Sequence, residues 1–145
     1  MILETATALI CMAHAIYFEA RSESTAAQIA VGHVILNRVE DPRFPDNVCE
    51  VVTEGVRYNT GQMKKNKCQF SFYCDGKPER VYEHLAYMRA EALSFIILDS
   101  HMSYDITDGA THYHATYVNP AWANRFTRTT CIDSHCFYRA DTKDR

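Results

Sequence analysis

Residues 25–52, TAAQIAVGHVILNRVEDPRFPDNVCEVV, decide how the chain folds. Ile29, Ala30, Val31, Val34, Ile35, Leu36 and Val39 put apolar groups on nearly every side of a helix from about Ala26 to Glu40. A helix that is apolar all round is buried among other elements, so this one is expected at the centre of the fold. Thr25 and Gln28 form a capping-box signature at its start, where a hydroxyl and an amide satisfy free backbone N–H groups. Asp41-Pro42 stops it, because proline has no N–H to donate and pushes the preceding residue out of helical geometry. Asp46 then offers the N-cap of a short third helix ending at Gly55.

Toward the N-terminus, Ala8, Ile10, Cys11, Ala13, Ile16 and Tyr17 recur at helical spacing, predicting a first helix from about Glu4 to Ala20 that breaks at Arg21 and Ser22. Toward the C-terminus, Arg57 to Lys67 is polar and turn-rich, and the lysines of MKKNKC read as a solvated loop. QFSFYCDGKP, residues 69–78, predicts a short extended segment and a turn at Asp75-Gly76, and Pro78 opens a long helix to about Leu98. In ATHYHATYV, residues 110–118, Tyr113, Ala115 and Tyr117 alternate with His112, His114 and Thr116, as in a strand with two different faces. Thr127 to Arg139 reads as a closing hairpin around a polar Asp-Ser-His turn. The sum is an α+β fold, mainly helical, with a small antiparallel sheet in the C-terminal half.

The 145 residues fit one compact domain, 1–145. A net charge of −3 with mixed signs gives no nucleic-acid-binding surface, and no apolar run reaches the ~18 residues that would span a membrane. The first residues lack a basic region ahead of an apolar one, so the expectation is a monomer made and held in the cytoplasm, reaching an outside substrate only after release. Six cysteines include no Cys-x-x-Cys pair. Cys68 with Cys74, or Cys131 with Cys136, could bond in an oxidising space, whereas Cys11 and Cys49 sit in helical apolar patterns that predict buried free thiols.

Glu19, in AIYFEARSES at residues 15–24, follows two aromatic residues at the end of the first helix. Partial burial there would raise its pKa, and a carboxyl group protonated near neutrality can donate to a leaving oxygen. The competing reading from the residues alone is a surface ion pair with Arg21 or another surface cation at the helix end.

AIYFEARSES, then AAQIAVGHVILNRVEDPRFPDNVCEVV, then QFSFYCDG, then GATHYHATYVNPAW, in that order, resemble the cell-wall hydrolase family of spore-cortex lytic enzymes, the SleB/CwlJ type. The resemblance runs from about residue 8 to 139. It implies a fold similar to lysozyme and the lytic transglycosylases, with the catalytic glutamate at Glu19 and no cofactor. It implies cleavage of the β-1,4 bond between N-acetylmuramic acid (MurNAc) and N-acetylglucosamine (GlcNAc) in peptidoglycan glycan strands, as a lytic transglycosylase. The chain departs from that family at Phe18 and Ser22, where the spore enzymes carry glycine, and at MKKNKC, an insertion before QFSF. Its size looks more like a single-domain phage or prophage endolysin, released by a holin-type partner to lyse its host.

Around Glu19 the resemblance places Gln69 and Ser71 as hydrogen-bonders to acetamido groups and Phe70 as a sugar-stacking or core ring. It places Tyr113 and His114 along the cleft, Tyr113 either bonding the glycan or orienting Glu19. Asn119, Pro120 and Trp122 are structural or substrate-contacting, and Asn37 and Arg38 satisfy internal groups. Glu23 fits a second acidic position, either as a second carboxylate or as a stabiliser of the next helix start.

Hydrolysis by the same glutamate, as in a muramidase, would ordinarily need a second carboxylate, about 5–5.5 Å away if retaining or roughly 6.5–9.5 Å if inverting. Glu23, Asp75 and Asp108 are the candidates. A zinc amidase or peptidase is the rival chemistry: His112 and His114 share a strand face, and His14, His33 or His135 could complete a ligand set with Glu19 as base, although no His-Glu-x-x-His motif is present. A non-catalytic wall-binding protein is the third class.

Overall fold

A computed structural model describes residues 2–99 and 104–141. The helices are α1 (Ile2–Ala20), α2 (Thr25–Glu40), α3 (Val48–Val52) and α4 (His84–Leu98). The strands are β1 (Gly55–Arg57), β2 (Met63–Cys68), β3 (His112–Ala115), β4 (Thr127–Ile132) and β5 (His135–Arg139), and single 3-10 turns span Ser71–Cys74 and Ala121–Asn124. The architecture is α+β, as the sequence predicts.

α2 is the buried centre, and the reason it is apolar all round is that it has two partners. Val31 and Ile35 face a core shared with Met12 and Ile16 of α1, Val51 of α3 and Ile97 of α4. Ala30 and Val34 face Ala110 and Phe137, under the three-stranded sheet. α2 lies close against α4 at Gly32, where an added Cβ would lie 2.5 Å from Ile97 Cδ1. The sheet is antiparallel, in the order β3-β5-β4, with Tyr113 opposite Phe137 and Cys131 opposite Cys136. Among the described residues no helix is long and apolar enough to cross a membrane.

Several local expectations are corrected. The N-cap of α2 is Ser24, one residue before Thr25: its Oγ accepts from the Ala27 N–H, while the Gln28 amide turns back to the Glu23 carbonyl at 3.2 Å. Asn47, not Asp46, caps α3, which stops at Val52 and leaves Gly55 to open β1. MKKNKC is not a loop but strand β2, antiparallel to β1. QFSFYC is not extended: a 3-10 turn occupies Ser71–Cys74. The last helix begins at His84 rather than at Pro78, because the Tyr17 hydroxyl accepts the Tyr82 and Glu83 N–H groups and holds that segment against α1. β3 ends at Ala115, leaving Tyr117 87% exposed. Cys11 and Cys49 are not free thiols but a disulfide tying α1 to α3, and Cys68–Cys74 and Cys131–Cys136 are also bonded.

Candidate active site

Glu19 occupies the last turn of α1, next to the residue at which the helix ends. Its neighbours are aromatic: Phe18 stacks on Phe72 with ring centroids 4.9 Å apart, and Tyr17 meets Phe18 edge-on at the same distance. The Phe18–Phe72 stack brings the 69–74 segment against the end of α1. The side chain is half-buried, and burial pushes the Glu19 carboxyl from its ordinary 4.5 up to about 7. The Tyr113 hydroxyl donates a hydrogen bond to it and pulls the other way, since that bond favours the carboxylate. Burial and the Glu19 charge in turn hold the Tyr113 phenol well above its ordinary pKa, so it remains a donor across the working pH range.

This is the environment a general acid needs: low enough in polarity to keep the proton near neutral pH. The surface ion pair open to Glu19 does not form. Arg21 instead bonds Glu83 through Nε at 2.5 Å, both side chains exposed.

The expected neighbours divide. Gln69 is exposed, its Oε1 accepting from Arg38 Nη1 at 3.5 Å. Ser71 is exposed at the start of its 3-10 turn. Phe70 is 2% exposed and packs in the core, with the Arg38 guanidinium 5.8 Å from its ring centroid, so a core ring is the role its position permits. Phe72, which the sequence does not single out, is the ring that reaches Phe18. Strand alternation sends His112 and His114 to the face opposite Tyr113. There both His114 nitrogens are engaged, Nδ1 with the Ala115 carbonyl at 2.7 Å and Nε2 with the Tyr138 hydroxyl at 2.9 Å. His112 packs between Phe44, Trp122 and Phe126, and burial, then Arg38 and Arg43, lower its pKa to about 4. Asn119 is exposed in the loop after β3.

Asn37 and Arg38 do satisfy internal groups: Asn37 Nδ2 donates to Asp105 and to the Ala110 carbonyl, each at 2.9 Å, and Arg38 Nε to the Thr111 carbonyl at 2.7 Å. The candidate second carboxylates have partners of their own. Asp75 accepts from the Lys77 N–H, Asp108 pairs with Arg139 at 3.0 Å, and Glu23 accepts from the Ser134 hydroxyl. Among the described residues no group of three or more His, Cys, Asp or Glu converges as a metal site.

The Cell Wall Hydrolase family model matches residues 22–138. The chain belongs to that family. Glu19 lies just upstream of the matched span, joined to it by the turn into α2. Cell wall hydrolases similar to this one include the spore cortex-lytic enzyme of Halalkalibacterium halodurans, 51% identical over 47 residues, which are 32% of this chain and 14% of that protein. The spore cortex-lytic enzyme of Bacillus subtilis is 43% identical over 47 residues, 32% of this chain and 15% of that protein. The matched stretches are thus a small part of those relatives.

Two solved structures share the fold over nearly the whole chain. The catalytic domain of the Bacillus cereus SleB protein superposes with a TM-score of 0.64 at 23% identity, covering 92% of this chain and 91% of that one. The catalytic domain of the germination-specific lytic transglycosylase SleB from Bacillus anthracis gives 0.63 at 24% identity, covering 91% and 93%.

Proposed function

We propose that this cell wall hydrolase degrades peptidoglycan by cleaving the β-1,4 bond between MurNAc and GlcNAc as a lytic transglycosylase, with Glu19 as its acid and then its base. The observation that carries the reading is the half-buried Glu19 carboxyl, raised to about 7 by burial against the lowering influence of Tyr113, with Glu23, Asp75 and Asp108 engaged by other partners.

Glu19 donates its proton to the glycosidic oxygen as the bond from muramic C1 to that oxygen breaks. Charge builds at C1 and the ring oxygen. The resulting carboxylate takes the proton of the muramic 6-hydroxyl as O6 closes on C1 to form the 1,6-anhydro ring. The proton returns to Glu19 and no water is consumed, so one carboxylate completes the cycle. A carboxyl poised near pH 7 suits both halves, since it must give a proton and then accept one. The exposed Gln69 amide, whose Oε1 meets Arg38, has an N–H2 suited to an acetamido carbonyl. His114, with both nitrogens already bonded inside the fold, is poorly disposed to hold zinc for amidase chemistry.

We also place the action outside the cytoplasm, on the wall, because three disulfides persist in oxidising surroundings. The test is solubilisation of purified sacculi, followed by turbidity. Glu19→Gln should remove it while circular dichroism and cooperative unfolding stay intact. Undiminished lysis by the variant would take Glu19 out of the mechanism.

A further inference from the structure

The β4–β5 turn reaches back across the fold to the loop that follows Glu19. Ser134 Oγ donates to Glu23 Oε1, and the Ser24 N–H donates to Asp133 Oδ2 at 2.7 Å. The Thr116 N–H donates to the Ser134 carbonyl at 2.8 Å, so the same turn also holds the residue after β3. The Glu23 N–H bonds the Ala20 carbonyl at 2.9 Å, closing the tight turn that ends α1. Beyond Ser134, the His135 ring stands edge-on to Tyr113 with centroids 5.2 Å apart. Its buried Nδ1, which has no hydrogen-bond partner, lies 3.8 Å from Glu23 Oε1.

Glu19 is therefore held twice, by the backbone at the end of α1 and by the Tyr113 hydroxyl from β3, and both holds meet at Glu23 and the 133–135 turn. We propose that Glu23 is a positioning residue for Glu19: its bond to Ser134 locks the end of α1 to the strand pair that carries Tyr113. It is not the second carboxylate of a hydrolase. The proposal rests on the reading of Glu19 as the acid. With the bond cut, α1 and β3 are held to each other less firmly, through the Ser24–Asp133 contact that remains, and a displacement of about 1 Å at a reacting group costs up to roughly a hundredfold in rate.

The experiment compares wild type, Glu19→Gln, Glu23→Ala, Glu23→Gln, Ser134→Ala and the Glu23→Ala/Ser134→Ala pair, in initial rates on sacculi across substrate concentration. Glu23→Ala should lose at least about tenfold in kcat with KM within about threefold, because positioning acts on the transition state. Glu23→Gln should return to within about threefold of wild type, since an amide oxygen still accepts the Ser134 hydroxyl. The paired variant should lose no more than Glu23→Ala, because both changes cut one bond. Ser134→Ala removes a single hydroxyl and serves where Glu23→Ala does not fold; it should lose at least about fivefold in kcat. The proposal is overturned if Glu23→Gln is as inactive as Glu19→Gln, which would make Glu23 a catalytic carboxylate. It is equally overturned if Glu23→Ala, or Ser134→Ala in its place, keeps wild-type kcat. Wild type no more active than Glu19→Gln would instead overturn the reading of Glu19, and this proposal with it.

Discussion

Replacing Glu19 by Gln should make the protein more stable, and only above a definite pH. The folded chain holds the Glu19 proton up to about pH 7, whereas the ordinary carboxyl value is 4.5. Between those values the folded state binds more protons than the unfolded one, so stability falls as pH rises through that window. The penalty is absent below pH 4.5 and complete above about 7. At about 1.4 kcal/mol for each tenfold change in proton affinity, it amounts to roughly 3 kcal/mol, and partial exposure of the side chain brings it nearer 2. A glutamine of the same shape never ionises. Urea unfolding of wild type and Glu19→Gln at pH 4.5, 6 and 8 should therefore show curves separating as pH rises, the variant gaining about 2–3 kcal/mol by pH 8 relative to its offset at pH 4.5. In thermal unfolding that gain is about 5–10 °C for a chain of this size. Any constant cost of fitting the amide cancels in the comparison across pH. A stability difference that does not change with pH would refute the reasoning, since it would mean that Glu19 ionises as a solvated carboxyl.

Tyr113→Phe removes the donor that lowers the Glu19 pKa, so the alkaline limb of kcat/KM on sacculi should move upward from about pH 7 while the plateau rate falls; a limb that stays in place would separate Tyr113 from Glu19. Cys11 and Cys49 close a loop of 38 residues, so the paired serine variant should lose about 3–4 kcal/mol in urea unfolding, far more than two free thiols would account for. Gly32→Ala drives a methyl against Ile97, and should cost about 1–3 kcal/mol of stability with the pH profile of activity unchanged.

How much of this the sequence discloses depends on the range of each interaction. α2 is legible because burial on two sides leaves an apolar residue at almost every position, and the placing of Glu19 at a helix end because the apolar spacing of α1 stops just after it. Strand β2 is hidden because a short hairpin with exposed lysines carries no alternation of apolar and polar residues. Ser24 and Thr25 are equally good caps on paper, and only the backbone geometry at Ser24 chooses between them. Cys11 and Cys49 look like any other apolar helix positions, so their bond is invisible without the packing of α1 on α3. Phe70 and Phe72 alternate in QFSF with nothing to mark which one turns inward to the Arg38 side and which reaches Phe18. Ser134 and Glu23 are 111 residues apart, and no local pattern announces their contact. The polar Asp-Ser-His turn reads only as a hairpin tip until the fold brings it to Glu23.

The most direct test is mass spectrometry of the soluble fragments released from purified sacculi by the wild-type protein and by Glu19→Gln. The account predicts glycan fragments ending in 1,6-anhydro-muramic acid from wild type and none from the variant. Reducing muramic ends, or free peptides with intact glycan, would contradict it.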